Sequence, residues 1–303
     1  MSEIKPVIDV CIATYKRQHL LKQLLEKLAV QETGGEFLYS AIVVDNDSDK
    51  SAQGLVRKLS AELSISIFYY SQPIKNISKT RNTAIDHATG NYIAFIDDDE
   101  YPDKYWLYNL FDAISLYDAD AVFGPVVPEL PEIVPKWIKE GGVFNRPRFP
   151  SGTQVRTGIT ANALVRAHWI REGRYRFDDQ YGTTGGEDSD FFRRMHEAGA
   201  KLVWTDCAFV FEEIPLARCN LKWFIRRSFR SGQTFARQTI TGKKYLEKIR
   251  WVVARCFVSV WLITISVILW LFSKEKSTRY FQRFVSNLGQ LSVMSSYTYE
   301  EYK

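Results

Sequence analysis

An α/β protein with a mostly parallel sheet and helices on both faces is the fold the sequence predicts, on two observations. Short β-branched apolar runs alternate with segments of helical periodicity through the first half of the chain, and those runs end in polar clusters. Val7 to Ala13 is the first such run, and Leu20, Leu21, Leu24, Leu25 and Leu28 follow at the spacing of one helix face. Ala41 to Val44 predicts a strand ending at Asp45, residues Leu55 to Leu63 a helix, and Ile65 to Tyr70 a third strand. A helix over Ser78 to His87, a strand over Tyr92 to Ile96, a helix carrying Trp106, Leu110, Phe111 and Ile114, and a strand over Ala121 to Phe123 continue the series. Pro and Gly crowd Pro125 to Pro150, which predicts a long irregular segment. Beyond it come a strand over Thr160 to Val165, a helix with Phe191, Phe192 and Met195 on its inner face, and strand over Leu202 to Phe211. The expected organisation is one α/β domain over 1–237 and a helical, membrane-associated region over 238–303.

At 303 residues the chain can bury a substantial core, and 25% charged against 46% hydrophobic residues is a globular balance rather than a disordered one. Cys11, Cys207, Cys219 and Cys256 lack any metal-knuckle or disulfide spacing, which fits a reducing, cytoplasmic setting. No secretory signal is read at the N-terminus. The net charge of +5 is uneven: basic residues crowd Arg218 to Arg255. No recognition helix, zinc finger or RNA-binding signature accompanies them, so anionic lipid or pyrophosphate is the expected partner and nucleic acid is not. Residues 256–272 carry no charge, lie between Arg250, Arg255 and Lys274, Lys276, and are bracketed by Trp251, Trp261 and Trp270. A membrane-surface helix, a span and a buried core helix are all open to such a run; the tryptophans and flanking cations favour the membrane.

In a parallel sheet ligands bind beyond the carboxyl ends of the strands, where Thr14-Tyr15, Asp45-Asn46 and Asp97 to Asp99 all fall. Asp97-Asp98-Asp99-Glu100 sets four carboxylates in a row, whose repulsion calls for a cation; hard oxygen donors suit Mg²⁺ or Mn²⁺ sharing a nucleotide diphosphate. A solvated acidic turn is the other account of the run. Gly185-Gly186-Glu187-Asp188 allows close backbone approach to a ligand and supplies a carboxylate able to take a proton from a hydroxyl, although helix capping explains the acids equally well. His19, His87, His168 and His196 fall in or beside predicted helices and form no cluster.

Together, Ala13 to Arg17, Val43 to Asp47, Lys79 to Asn82, Phe95 to Asp99 and Gly186 to Asp190 resemble family-2 glycosyltransferases of the GT-A fold. Asn76 to Ser78, Arg156 to Gly158, Gly185 to Asp188 and Arg227 to Thr234 extend the similarity, over nearly the whole chain, to bacterial glucosyltransferases of succinoglycan-type exopolysaccharide synthesis. The resemblance implies a donor site of Thr14, Tyr15, Arg17, Asp45, Asn46, Arg81, Asp97 and Asp98, a metal on Asp99 and Asp97, an acceptor site at Gly186 and Glu187, and Asp188 as catalytic base. Arg230, with Arg226 and Arg227, reads from its chemistry as a guanidinium clamp on the donor's pyrophosphate, the other account being a solvated basic helix face. The resemblance further implies inversion, a nucleotide diphosphate sugar donor (UDP-glucose by similarity) and, with the tail, a lipid-linked oligosaccharide acceptor at the cytoplasmic face of the inner membrane. The chain departs from the pattern it resembles at one point: where members of that family often carry a metal-binding His ahead of Glu-x-x-Pro, this chain has Phe211 before Glu212 and Glu213. A sugar nucleotidyltransferase is disfavoured because no Gly-rich phosphate loop opens the chain, and a silent glycan-binding scaffold because Asp97, Asp99 and Asp188 occur together.

Overall fold

The computed structural model describes residues 4–172, 175–240 and 242–295. Along the chain run β1 (Val7–Thr14), α1 (Gln18–Leu28), β2 (Leu38–Asp45), α2 (Gln53–Glu62), β3 (Ser66–Ser71), α3 (Ile77–His87), β4 (Tyr92–Ile96), β5 (Glu100–Pro102), α4 (Trp106–Leu116), β6 (Ala121–Phe123) and β7 (Val126–Glu129). After them come α5 (Lys136–Lys139), β8 (Asn162–Arg166), α6 (Ala167–Arg171), α7 (Glu187–Glu197), β9 (Leu202–Trp204), β10 (Val210–Glu213), α8 (Leu221–Ile240), α9 (Tyr245–Trp270) and α10 (Lys274–Ser292). The main sheet has the order β3-β2-β1-β4-β8-β6-β9, parallel throughout except for β8, which runs against both β4 and β6. The predicted mixed sheet of mostly parallel strands is therefore present.

Three expectations change. The run Leu202 to Phe211 divides into β9 and β10, because the chain bends at Asp206, whose carboxylate takes two hydrogen bonds from Arg148. The segment Pro125 to Pro150 holds β7 and the single turn α5 rather than irregular chain alone. The acidic run also enters a strand: β5 starts at Glu100 and pairs antiparallel with β10 in a small sheet of order β5-β10-β7.

Among the described residues the chain forms two compact units, one taking in residues up to Val127 and Arg146–Glu212, the other Pro128–Asn145 and everything from Glu213. In the first, alternation along β1 sends Ile8, Val10 and Ile12 to one face, with Leu21, Leu24, Trp106 and Leu110, and Cys11 to the other, with Ile85, Phe95, Phe191 and Phe192. That two-sided burial explains why the strands read as nearly continuous apolar runs.

The second unit is helical. α9 and α10 form an antiparallel hairpin: Ser266 meets Ser277 near the turn, and Asn287 reaches Ser259 and the Arg255 carbonyl at the far end. α8 crosses α10 at backbone distance, because a Cβ on Gly232 would stand 1.8 Å from the Ser286 carbonyl and one on Gly289 2.0 Å from that of Phe229. Neither backbone can yield, so Gly289→Val should cost about 1–3 kcal/mol or more. Gly54→Ala on α2, where an added Cβ meets nothing within 4 Å, should gain about 0.5–1 kcal/mol. Chemical denaturation of both variants checks the pair.

Candidate functional site

The site grows from strand ends. Thr14 closes β1 in register with Asp45 at the end of β2, and β4 on the other side of β1 delivers Asp97 to Asp99 just past Ile96. Thr14 Oγ1 donates to Asp98 at 2.8 Å. Between β1 and α1 the chain turns through Lys16 in the left-handed region (φ 55°), which sets Arg17 ahead of α1 and facing the acids. Tyr15 is exposed, with Lys75 and Lys16 near its ring face.

Part of the positive charge that the acidic run calls for is supplied by the chain itself, as three arginines that each bridge two acids. Arg17 Nη1 lies 3.0 Å from both Asp98 and Asp99. Arg81, on α3, meets Asp97 at 2.9 Å and also pairs with Glu187 on α7. Arg146 meets Glu212 at 2.8 Å and stands 3.7 Å from Glu100. Burial still dominates some of these groups. It pushes Asp98 up to about 6 against the pull of Arg17, and Glu187 up to about 7 against Arg81. Glu100 is held well above the usual carboxylate range by burial and by Asp97.

Asp45 and Asn46 are fully buried or nearly so, and both build the loop they sit in. Asp45 accepts from the Asp47 and Ala52 amides and from Tyr69 Oη. Asn46 donates to the Gln72 and Ile74 carbonyls and accepts from the Asn76 amide. Asn76 in turn caps α3 by accepting from the Lys79 amide.

The motif around Asn76 also brings the second acidic cluster into place. Asn76 and Ser78 donate to the carbonyls of Asp179 and Asp178, and Asn82 exchanges two hydrogen bonds with the Phe177 backbone. The chain then passes Gly185 and Gly186, both at positive φ (74° and 97°), and enters α7. At the start of that helix three acids take three environments. Glu187 is buried against Arg81. Asp190 is buried between Arg193 and Arg194, each at 2.7 Å. Asp188 is half-buried, accepting from the Ser189 amide next to it at 2.6 Å. Thr157 Oγ1 steadies the same turn by donating to the Ser189 carbonyl.

Arg230 belongs to the helical unit, on α8, where with Lys222, Arg226 and Arg227 it lines a basic pocket of about 270 Å³. Among the described residues no three His, Cys, Asp or Glu side chains cluster as a metal cage. The residues that the sequence reading missed are Arg146, Glu212 as its partner, and Glu100 as a buried acid. A lone arginine in a Pro-rich segment carries no local signal of what it will face.

The strand-end acids coincide with a family match. The model of glycosyl transferase family 2 fits residues 9–174, which include most of β1, all of β2 and β4, and the acidic run. The chain belongs to glycosyl transferase family 2. It is 34% identical over 94% of its length, and 92% of the other, to succinoglycan biosynthesis protein ExoM of Rhizobium meliloti (strain 1021). It is 24% identical to chondroitin synthase of Escherichia coli over 70% of this chain and 35% of that one. Among solved structures, S. aureus TarS 1–349 in complex with UDP-GlcNAc superposes with a TM-score of 0.56 at 15% identity, covering 98% of this chain and 93% of that one. The fold is that of GT-A glycosyltransferases.

Proposed function

We propose that this family-2 glycosyltransferase inverts configuration as it moves a sugar, glucose from UDP-glucose, onto a lipid-linked oligosaccharide at the cytoplasmic face of the inner membrane, in the synthesis of an exopolysaccharide or related surface glycan. Residues 1–237 carry the chemistry in this reading and 238–303 the membrane attachment. The observation that bears most weight is the division of labour at the start of α7: Glu187 and Asp190 are each buried against arginine, while the carboxylate of Asp188 remains half-accessible.

In the proposed reaction Asp188 takes the proton of an acceptor hydroxyl as its oxygen bonds to the anomeric carbon from the face opposite the nucleotide. The anomeric C–O bond to the diphosphate breaks, and the nucleotide diphosphate leaves with that electron pair. Gly186 and Glu187 shape the acceptor side, Glu187 by fixing Arg81. Thr14, Tyr15, Arg17, Asp45, Asn46, Arg81, Asp97, Asp98 and Arg230 are assigned to the donor, Asp45 and Asn46 by holding the nucleoside loop in shape.

The residues present suit a divalent ion shared with substrate. Asp97 and Asp99 offer hard oxygens at the strand end, and the Asp97 side chain is 37% exposed. Two carboxylates with phosphate and water fit Mg²⁺ or Mn²⁺, which rarely uses an all-protein cage. Phe211, stacked on Tyr101, leaves no imidazole at the position where relatives have one. A bound ion supplies positive charge to the departing diphosphate.

The membrane reading rests on α9. Its 26 residues span about 39 Å at 1.5 Å each, and Phe257, Trp261, Val267, Ile268 and Phe272 at its end are exposed. α10 lies antiparallel along it and carries Lys274, Lys276, Arg279 and Arg283. A crossing helix would drag those cations into hydrocarbon, so a hairpin lying in the interface is favoured.

The test is nucleotide diphosphate release by the full chain with a membrane lipid extract, across donors, with Mn²⁺ or with chelator. UDP release from UDP-glucose that requires both lipid and metal is expected. Silence with every donor overturns the reading. Asp99→Ala should weaken metal-dependent donor binding by about tenfold or more with an unchanged circular dichroism spectrum, since the phosphate charge loses its counter-ion. Unchanged affinity removes Asp99 from the metal site.

A further inference from the structure

Between α8, α9 and α10 lies a cavity of about 500 Å³ that the transfer reaction does not use. Its lining has three chemistries. Arg227, Arg255 and Arg283, one from each helix, supply positive charge. Val258 and Leu262 of α9 supply an apolar wall continuous with that helix's exposed aliphatic and aromatic face. Asn287 and Gln290 of α10 supply buried amides.

Those amides are where the cavity departs from ordinary helix packing. Asn287 Nδ2 donates to the Arg255 carbonyl at 2.7 Å and to Ser259 Oγ at 2.8 Å, yet its Oδ1 is buried with no hydrogen-bond partner. Gln290 Oε1 and Arg255 Nε are buried and unpartnered as well. Leaving such atoms unsatisfied is costly, and a site that keeps three of them calls for a ligand bringing both an anion and hydroxyl donors. The surroundings agree on sign: from residue 214 to 295 the sequence has fifteen Lys and Arg against two acids, Glu247 and Glu275.

We propose that this cavity binds the headgroup of a membrane lipid in which phosphate is joined to hydroxyls. The arginines take the phosphate oxygens, the carbonyl oxygens of Asn287 and Gln290 accept from the hydroxyls, and the acyl or prenyl chain leaves past Val258 and Leu262 along α9. The inference rests on the membrane-surface part of the reading above and not on its donor chemistry. Vesicle binding and nucleotide release therefore fail independently of each other.

The test is flotation of the full chain with vesicles of phosphatidylcholine alone, or mixed with phosphatidylglycerol or with phosphatidic acid, whose headgroup has phosphate without hydroxyls beyond it. Phosphatidylglycerol should be preferred to phosphatidic acid. Arg255→Gln/Arg283→Gln should weaken binding to phosphatidylglycerol about tenfold more than Lys243→Gln/Lys244→Gln does, because hydrogen bonds to phosphate add to the general attraction that both pairs lose. Equal losses mean a diffuse basic surface and overturn the proposal. Gln290→Leu should abolish the phosphatidylglycerol preference; if it only raises the melting temperature, the amide is structural and the proposal fails. Release of the protein from vesicles by inorganic diphosphate, as complete as release by a soluble phosphatidylglycerol, would assign the cavity to free phosphate and overturn the lipid.

Discussion

Transfer by Asp188→Asn is expected to fall by about a hundredfold or more, the usual range for removing a general base, with donor affinity retained. Asparagine keeps the size of the side chain and can still accept from the Ser189 amide, so the start of α7 survives and the loss reports proton transfer. Its neighbours behave differently for stated reasons. Asp190→Asn gives up charge pairing with Arg193 and Arg194 on its own helix, and should lower the melting temperature more than turnover. Glu187→Gln should keep a hydrogen bond to Arg81 and lose activity mainly through acceptor KM. The comparison is made by steady-state kinetics on all three variants. Near-normal turnover in Asp188→Asn with a dead Asp190→Asn would move the base by two positions.

The largest effect on stability is expected at Arg81. Its side chain is 9% exposed and holds Glu187 at 5% and Asp97 on separate elements. Arg81→Met fills similar space but strands a buried carboxylate, at a cost of about 3–5 kcal/mol. Arg81→Met/Glu187→Gln should recover much of it, since two apolar or neutral groups need no counter-charge. The sign with pH follows from burial: Glu187 titrates near 7 in the folded chain against about 4.3 unfolded. Below pH ~4.3 both states hold the proton and this contribution to stability is fully present; between ~4.3 and ~7 only the folded state holds it, and the contribution is lost as pH rises through about 7. Without the guanidinium, which holds the folded value down, the loss grows and extends to higher pH; with Glu187→Gln it disappears. Denaturant midpoints from pH 5 to about 8 measure both, and an Arg81→Met variant as stable as the parent would show that the pair is dispensable.

Much of the first unit was legible because its strands are buried on both faces, so that Val7 to Ala13 and Tyr92 to Ile96 announce themselves without partners. β5 did not. Three residues beginning at an acid have no strand signal, and what makes them a strand is β10, more than a hundred positions away. The acidic run was read as a place for positive charge, and that physics holds, but sequence cannot say that Arg17, Arg81 and Arg146 supply part of it. Arg146 is the clearest loss: it lies in a Pro-rich segment and acquires meaning only beside Glu100 and Glu212. Asp188, Glu187 and Asp190 were indistinguishable as capping acids, and it is burial and arginine neighbours that separate them. In the tail the basic residues and the apolar run could be seen, whereas the crossing of Gly232 on Gly289 could not, since two glycines far apart carry no sign that they touch.

The stitching of α3 to the segment ahead of α7 has a dynamic meaning. Four hydrogen bonds from Asn76, Ser78 and Asn82, two of them exchanged with one backbone unit, tie the helix bearing Arg81 to the strap that ends in Gly185-Gly186. The carboxylate of Asp188 is thereby carried on the same rigid frame as the acids at the end of β4. Little reorganisation is left for the moment when a donor arrives, and an enzyme whose dipoles are already oriented spends less of its binding energy arranging them.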